Sequence, residues 1–282
     1  MKKTIFVSII AALAMVMASC DKIEEGEYLV YSGSTATWQD GTHIANPRNR
    51  VLLEKYTGMR CTNCPQADTV IAALQSSYGD NLVVVAVHAI DVFAKPYTGN
   101  EDLRTEAGNA WVGYFGITSL PKVLVNRSGG QMAVAAAASA IEAAMAATPA
   151  VAMELGVSYD NSTRKLRITP NIEFLQDMEG QLTLTLVITE DSITGRQASG
   201  STHIENYVYN HVLRTAVTDL WGTDIGGEGR AGECRKGTFG YTLPETWPNG
   251  KSVVSQRCHV VAFVSDKENR QILQSAESKI VR

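Results

Sequence analysis

Two cysteines three positions apart, in Cys61-Thr62-Asn63-Cys64, carry the most direct chemistry in this chain of 282 residues. A thiolate attacks a disulfide sulfur, and a second thiol nearby resolves the mixed disulfide that forms. The pair follows the apolar run Val51-Leu52-Leu53 and precedes a helix-like stretch over 65–78. At a helix start the first thiol meets unpaired N–H groups and about half a unit of positive charge, which lower its pKa. This assigns Cys61 as an exposed catalytic nucleophile and Cys64 as the resolving thiol, with Arg60 the nearest fixed positive charge. Pro65 fits the first helical turn, where its missing N–H costs least.

Two residues are candidate proton partners. His88 closes the apolar strand 82–88, and in an open α/β sheet the carboxyl ends of strands collect on one edge, near Cys61. The alternative for His88 is a structural polar residue at a strand end. Asp68 lies one turn beyond Cys64 and serves either as a proton partner or as a solvated acid favoured by the helix dipole. Two other readings of the CxxC stay open. One is a structural disulfide in an oxidising compartment. The other is a zinc site, but Cys234 and Cys258 lack CxxC spacing, so neither metal nor cofactor is expected.

The first twenty residues indicate the compartment. Lys2 and Lys3 precede an apolar stretch over 5–17, and Met17-Ala18-Ser19-Cys20 resembles the lipobox of bacterial lipoproteins. The apolar stretch is shorter than the roughly 20 residues a spanning helix needs. The expectation is a signal peptide over 1–19, acylation (palmitate) on Cys20, and a spacer over 20–47 that tethers the chain to a membrane. Removing residues 1–19 takes away two lysines and no acids, so the net charge moves from −4 to −6. That balance argues against nucleic acid as a partner. The stretch Asp21-Lys22-Ile23-Glu24-Glu25-Gly26-Glu27 resembles the acidic tracts that send some Gram-negative lipoproteins to the cell surface. The expected location is therefore the outer membrane, facing periplasm or surface. Asp21 directly after Cys20 matches an inner-membrane retention signal of other lineages, and that alternative stays open. With Cys20 acylated and Cys61 paired to Cys64, Cys234 and Cys258 remain as a couple. A bridge between them restricts the unfolded chain by roughly 3.5 kcal/mol.

The elements that must position these groups fall into two sets, as suits a mature length of about 260 residues. Over 48–148, apolar strands at 51–56, 82–88 and 122–126 alternate with helices at 65–78, 106–115 and 131–147, a mixed α/β domain. Pro149 ends the alanine-rich helix. Over 149–282, strands at 150–159, 164–174, 181–191, 206–217, 237–243, 257–265 and 271–281 imply an all-β, immunoglobulin-like sandwich that carries binding loops. The connection 89–109 contains Phe93, Pro96 and Tyr97, which line a groove or cover the domain edge.

The strand, CxxC and helix, followed by Tyr114-Phe115-Gly116-Ile117-Thr118-Ser119-Leu120-Pro121-Lys122-Val123-Leu124-Val125, resemble a thioredoxin-like domain over 48–148. The resemblance implies a cis Pro121 opposite the CxxC and a Leu120 backbone that pairs with a substrate chain. Lys55 stands where thioredoxins keep a buried aspartate, and Arg60 replaces their tryptophan, which implies a slow or specialised exchanger. Three further runs, Leu53-Glu54-Lys55-Tyr56-Thr57-Gly58-Met59-Arg60-Cys61-Thr62-Asn63-Cys64-Pro65, Asn210-His211-Val212-Leu213-Arg214 and Val260-Val261-Ala262-Phe263-Val264 followed by Ile272-Leu273-Gln274, resemble the Omp-twenty-eight-related outer-membrane lipoprotein family. The expected activity is thiol–disulfide exchange with exported proteins. The competing expectation is a binding or adhesion lipoprotein with structural disulfides that contacts an envelope or host protein.

Overall fold

The strand that leads into the CxxC pair is buried along its whole length, and so is its parallel neighbour, so the fold must cover both faces of that pair. The computed structural model describes residues 37–248 and 250–281. The signal-peptide and lipidation expectations, including Cys20, lie outside the described residues. In chain order the elements begin with β1 (Thr37–Asp40), β2 (Val51–Thr57), α1 (Cys64–Tyr78), β3 (Leu82–His88), α2 (Asp91–Ala94), α3 (Glu106–Tyr114), β4 (Lys122–Val125) and α4 (Ala137–Ala146). They continue with β5 (Val151–Asp160), β6 (Lys165–Phe174), β7 (Leu182–Glu190), β8 (Ile193–Ser199), β9 (Thr202–Tyr209) and β10 (Val212–Ala216). The last are β11 (Thr223–Asp224), β12 (Cys234–Thr242), β13 (Cys258–Asp266) and β14 (Ile272–Lys279).

β2 pairs in parallel with β3 and antiparallel with β4. Alternation along a strand sends successive side chains to opposite faces. Leu52, Tyr56, Val83, Val85 and Val87 accordingly join Trp111 of α3. Val51, Leu53, Leu82 and Val84 join Ile71 of α1 and Ala137 and Ile141 of α4. A helical layer on each face is what an unbroken apolar strand such as β3 requires. On the α3 side, Glu54 and Arg127 form a two-point ion pair at 2.7 and 2.8 Å, with the guanidinium 4.7 Å from the Trp111 ring centroid. Two parallel charge-assisted bonds satisfy groups that would be costly to bury alone.

The sheet runs on past residue 148. β10 pairs in parallel with β3 through Val212 and Ala86, giving the strand order β14-β13-β7-β10-β3-β2-β4 with strands from both halves. Contacts gather the described residues into one unit. A second sheet, β1-β12-β6-β5, packs on β7 and β13 around Phe174, Leu186, Phe239 and Val260. On the opposite face Val187, Val261 and Phe263 meet Trp111, so α3 spans the join between the halves. The Trp111 indole N–H donates to the Leu220 carbonyl at 3.0 Å, which pairs the one polar atom of a fully buried ring.

Three expectations change. The strand expected over 206–217 breaks at Asn210-His211, where His211 adopts φ 58°, and β8 pairs with β9 as a separate two-stranded sheet. The helix expected over 131–147 shortens because Met132 is bridged to Val123 and a 3-10 turn precedes α4. Cys234 and Cys258 are not bridged: both are free thiols. Cys234 opens β12 in one layer of the sandwich and Cys258 opens β13 in the other, each thiol turned to a nearby carbonyl, of Gly232 and Val254. Burial, with the Glu190 charge, pushes the Cys258 thiol up to about 12.

Candidate functional site

β2 ends at Thr57, and the chain turns through Gly58-Met59-Arg60 into the cysteine pair. Glycine is required at 58, because a Cβ there would lie 2.4 Å from the Phe93 carbonyl oxygen. α1 starts after Asn63 with Pro65 in its first turn, and Cys61 and Cys64 are joined by a disulfide, their Cα atoms 5.4 Å apart. Both residues are buried, at 2% and 1% exposure. The expectation of an exposed Cys61 nucleophile is thereby corrected.

The β8–β9 hairpin, from the second half of the chain, forms the cover. The Ala198 N–H donates to the Met59 carbonyl at 2.8 Å and the Gly200 N–H to the Thr62 carbonyl at 3.0 Å, so the end of β8 and the turn after it lie along the CxxC loop. Between these bonds the buried Gln197 amide donates to the carbonyls of Cys61 at 2.9 Å and Gly58 at 3.2 Å. The loop's acceptors are thus satisfied from within the chain, as buried polar groups require.

The charged groups near the pair are committed as well. Strand parity and register place Lys55 and His88 on the face that carries α1. Lys55 Nζ pairs with Asp68 Oδ1 at 2.5 Å, and the Tyr207 hydroxyl of β9 donates to Asp68 Oδ2. Asp68 is therefore the link between strand, helix and hairpin rather than a solvated first-turn acid. Burial, then Asp68, raises the Tyr207 pKa. His88 packs edge-on against Tyr209 with ring centroids 5.3 Å apart, and neither ring nitrogen has a hydrogen-bond partner. Burial, reinforced by the charges of Lys55 and Arg214, lowers its pKa to about 3. A ring that stays neutral and unbonded at pH 7 cannot shuttle protons there, which corrects that role for His88. The Arg60 guanidinium donates to the Lys95 and Pro96 carbonyls and lies 4.2 Å from the Tyr97 ring centroid.

The Leu120–Pro121 peptide is cis. Lys122 pairs with Tyr56, so this peptide lies at the edge where β2 gives way to the CxxC loop. Leu120 packs against the Trp111 cluster. Sequence reasoning missed Gln197, Tyr207 and Tyr209. The available signal was Ser199-Gly200, a turn dipeptide between two strand-like runs, and Gly200 adopts φ 55°. Among the described residues, no group of three or more His, Cys, Asp or Glu side chains is placed to hold a metal ion.

The family model for outer membrane protein Omp28 matches residues 108–282. The chain belongs to the Omp28 family. That membership assigns it to the outer membrane. Within the Omp28 match, Asn210-His211-Val212-Leu213-Arg214 is the segment that joins the halves. Its Val212 pairs with β3, and its Arg214 binds Glu101 of the first half and Glu190 of β7. The CxxC pair lies ahead of the matched region. HBP35 of Porphyromonas gingivalis is similar in structure, with a TM-score of 0.63 and 17% identity over 83% of this chain and 76% of that one. A domain of the outer membrane lipoprotein Omp28 from Porphyromonas gingivalis aligns with a TM-score of 0.33 and 20% identity over 48% of this chain and 90% of that one. At such identities the first likeness speaks of fold alone. None of the curated proteins matches the chain.

Proposed function

We propose that this Omp28-family protein is a lipid-anchored, non-enzymatic binding protein of the outer membrane. Its first half is thioredoxin-like, its second half is an immunoglobulin-like sandwich, and its Cys61–Cys64 disulfide is a structural clasp. Acylated Cys20 supplies the anchor, and the sandwich loops contact an envelope or host protein. The observation that carries this reading is the end of β8 hydrogen-bonded along the CxxC loop over two buried cysteines. An exchanger needs one sulfur open to in-line attack. Here Arg60 and Asp68 are engaged elsewhere and burial holds His88 neutral, so the groups that would activate a thiolate do not serve one.

Acid-quenched cells followed by alkylation and mass spectrometry test this directly. In cells given no added reductant, the expected result is one fully oxidised Cys61–Cys64 species without mixed disulfides. A standing reduced fraction, or discrete adducts to exported proteins, favours the second reading of thiol–disulfide exchange. That reading draws support from the CxxC position at the start of α1 and from Leu120 at the same sheet edge.

A further inference from the structure

The hairpin over the disulfide is an arm with a narrow neck. β8 and β9 pair only with each other among the described strands and belong to neither large sheet. Both ends of the arm turn through left-handed residues that are not glycine, Ser192 at φ 60° and His211 at φ 58°. Reciprocal side-chain bonds hold this neck: Asn210 Oδ1 accepts from the Ser192 N–H at 2.9 Å, and Asp191 Oδ1 accepts from the His211 N–H at 2.6 Å. Few residues at an element's ends suffice to absorb the dihedral change of a hinge.

The tip of the arm is fastened by parts that meet at the disulfide. Tyr97, from the connection between β3 and α3, lies between two guanidinium groups, Arg60 at 4.2 Å and Arg196 at 5.1 Å from its ring centroid, with its edge toward His203 at 5.5 Å. Arg60 belongs to the CxxC loop, while Arg196 and His203 belong to the arm, so one ring joins three segments. Asn100 of the same connection donates to the Arg196 carbonyl at 3.4 Å. Beneath this joint, every acceptor the arm uses on the loop, at Gly58, Met59, Cys61 and Thr62, lies within or just before the ring that the disulfide closes.

We propose that the β8–β9 hairpin is a redox-linked latch, held shut by the Cys61–Cys64 disulfide and released when a dithiol reduces it. In that reaction a thiolate of the dithiol attacks one sulfur of the pair, the S–S bond breaks, and a mixed disulfide forms. The second thiol of the dithiol then displaces it. The chain gains two electrons and two protons as two cysteine thiols, and the dithiol leaves as its own disulfide. Reduction frees the Cys61–Cys64 segment, the four carbonyls lose their fixed arrangement, and Gln197, Ala198 and Gly200 lose matched partners. Coupling of this kind is reciprocal, so loosening the arm must ease reduction by the same factor. The latch rests on the clasp reading in that the disulfide is a resident bond rather than a turnover intermediate.

Hydrogen–deuterium exchange on the full chain, oxidised and after treatment with dithiothreitol, tests the latch. Reduction is expected to raise exchange about tenfold or more in peptides covering 193–209 and 91–104, with β6 and β12 unchanged. Unchanged protection of the arm, or an equal rise everywhere, overturns it. At equilibrium with dithiothreitol, Gln197→Ala is expected to shift the Cys61–Cys64 pair about tenfold toward the dithiol, and Tyr97→Ala, which leaves the inner bonds in place, by a smaller factor. Wild-type equilibrium constants in both variants overturn the latch. Adducts in cells sink the clasp reading instead, so the two failures are distinguishable.

Discussion

His88 shows how far burial governs the chemistry of single residues here. In the folded chain burial, with the charges of Lys55 and Arg214, holds the ring neutral down to about 3, whereas an unfolded histidine takes up a proton near about 6.5. Between those values the unfolded state binds the extra proton. The stability is therefore full above about pH 6.5 and falls toward about pH 3, at up to about 1.4 kcal/mol per pH unit. His211, lowered by burial, acts in the same direction. Burial also opposes charge on His259, but its bond to Glu277 and the charges of Glu277 and Asp191 prevail, so His259 acts in the opposite direction. Urea unfolding at about pH 7.5 and about pH 5 should show a shallower loss in His88→Leu than in the wild type. Equal slopes would contradict the assignment. At this scale the sequence placed His88 correctly at the carboxyl end of its strand, because an apolar run closed by a polar residue is a local pattern. Its partner Tyr209 lies in a strand far along the chain, and no local pattern reveals that pairing.

Elements were legible where their signals were local. β2, α1, β3 and α3 follow from apolar runs, alternation and proline positions, and each lies within a residue or two of its expected bounds. β8 was not legible as a strand, because Arg196 and Gln197 interrupt its apolar pattern. Gln197 is buried only because it meets the carbonyls of a loop from the other half. The Tyr207-Val208-Tyr209 run also merges by composition with Val212-Leu213, and the left-handed turn at His211 that separates them carries no glycine. Pairing Cys234 with Cys258 by elimination failed for a related reason: the spacing allows the bridge, but the two thiols turn to separate carbonyls, of Gly232 and Val254, which a cysteine count does not reveal. A thiol count on the denatured, unreduced segment 33–282 should therefore return two free thiols, where a second disulfide would return none. In the native chain Cys234, partly exposed, should alkylate before the buried Cys258.

Across the whole molecule, the join between the halves matters more than either half alone. The shared sheet, α3 lying over it, and the Arg214 pairs to Glu101 and Glu190 bind the first half to the second. The same join brings the β8–β9 hairpin over the CxxC loop. A strand, a CxxC pair and a helix in succession are thus combined with a cover from the other half, in a member of an outer-membrane family. The oxidising envelope suits a disulfide that is formed once and kept. The reduction potential of Cys61–Cys64 in the full chain, equilibrated against dithiothreitol and glutathione buffers, bears most directly on this account. A covered structural clasp should lie below about −300 mV, whereas a value near about −200 mV, in the range of working exchangers, would contradict it.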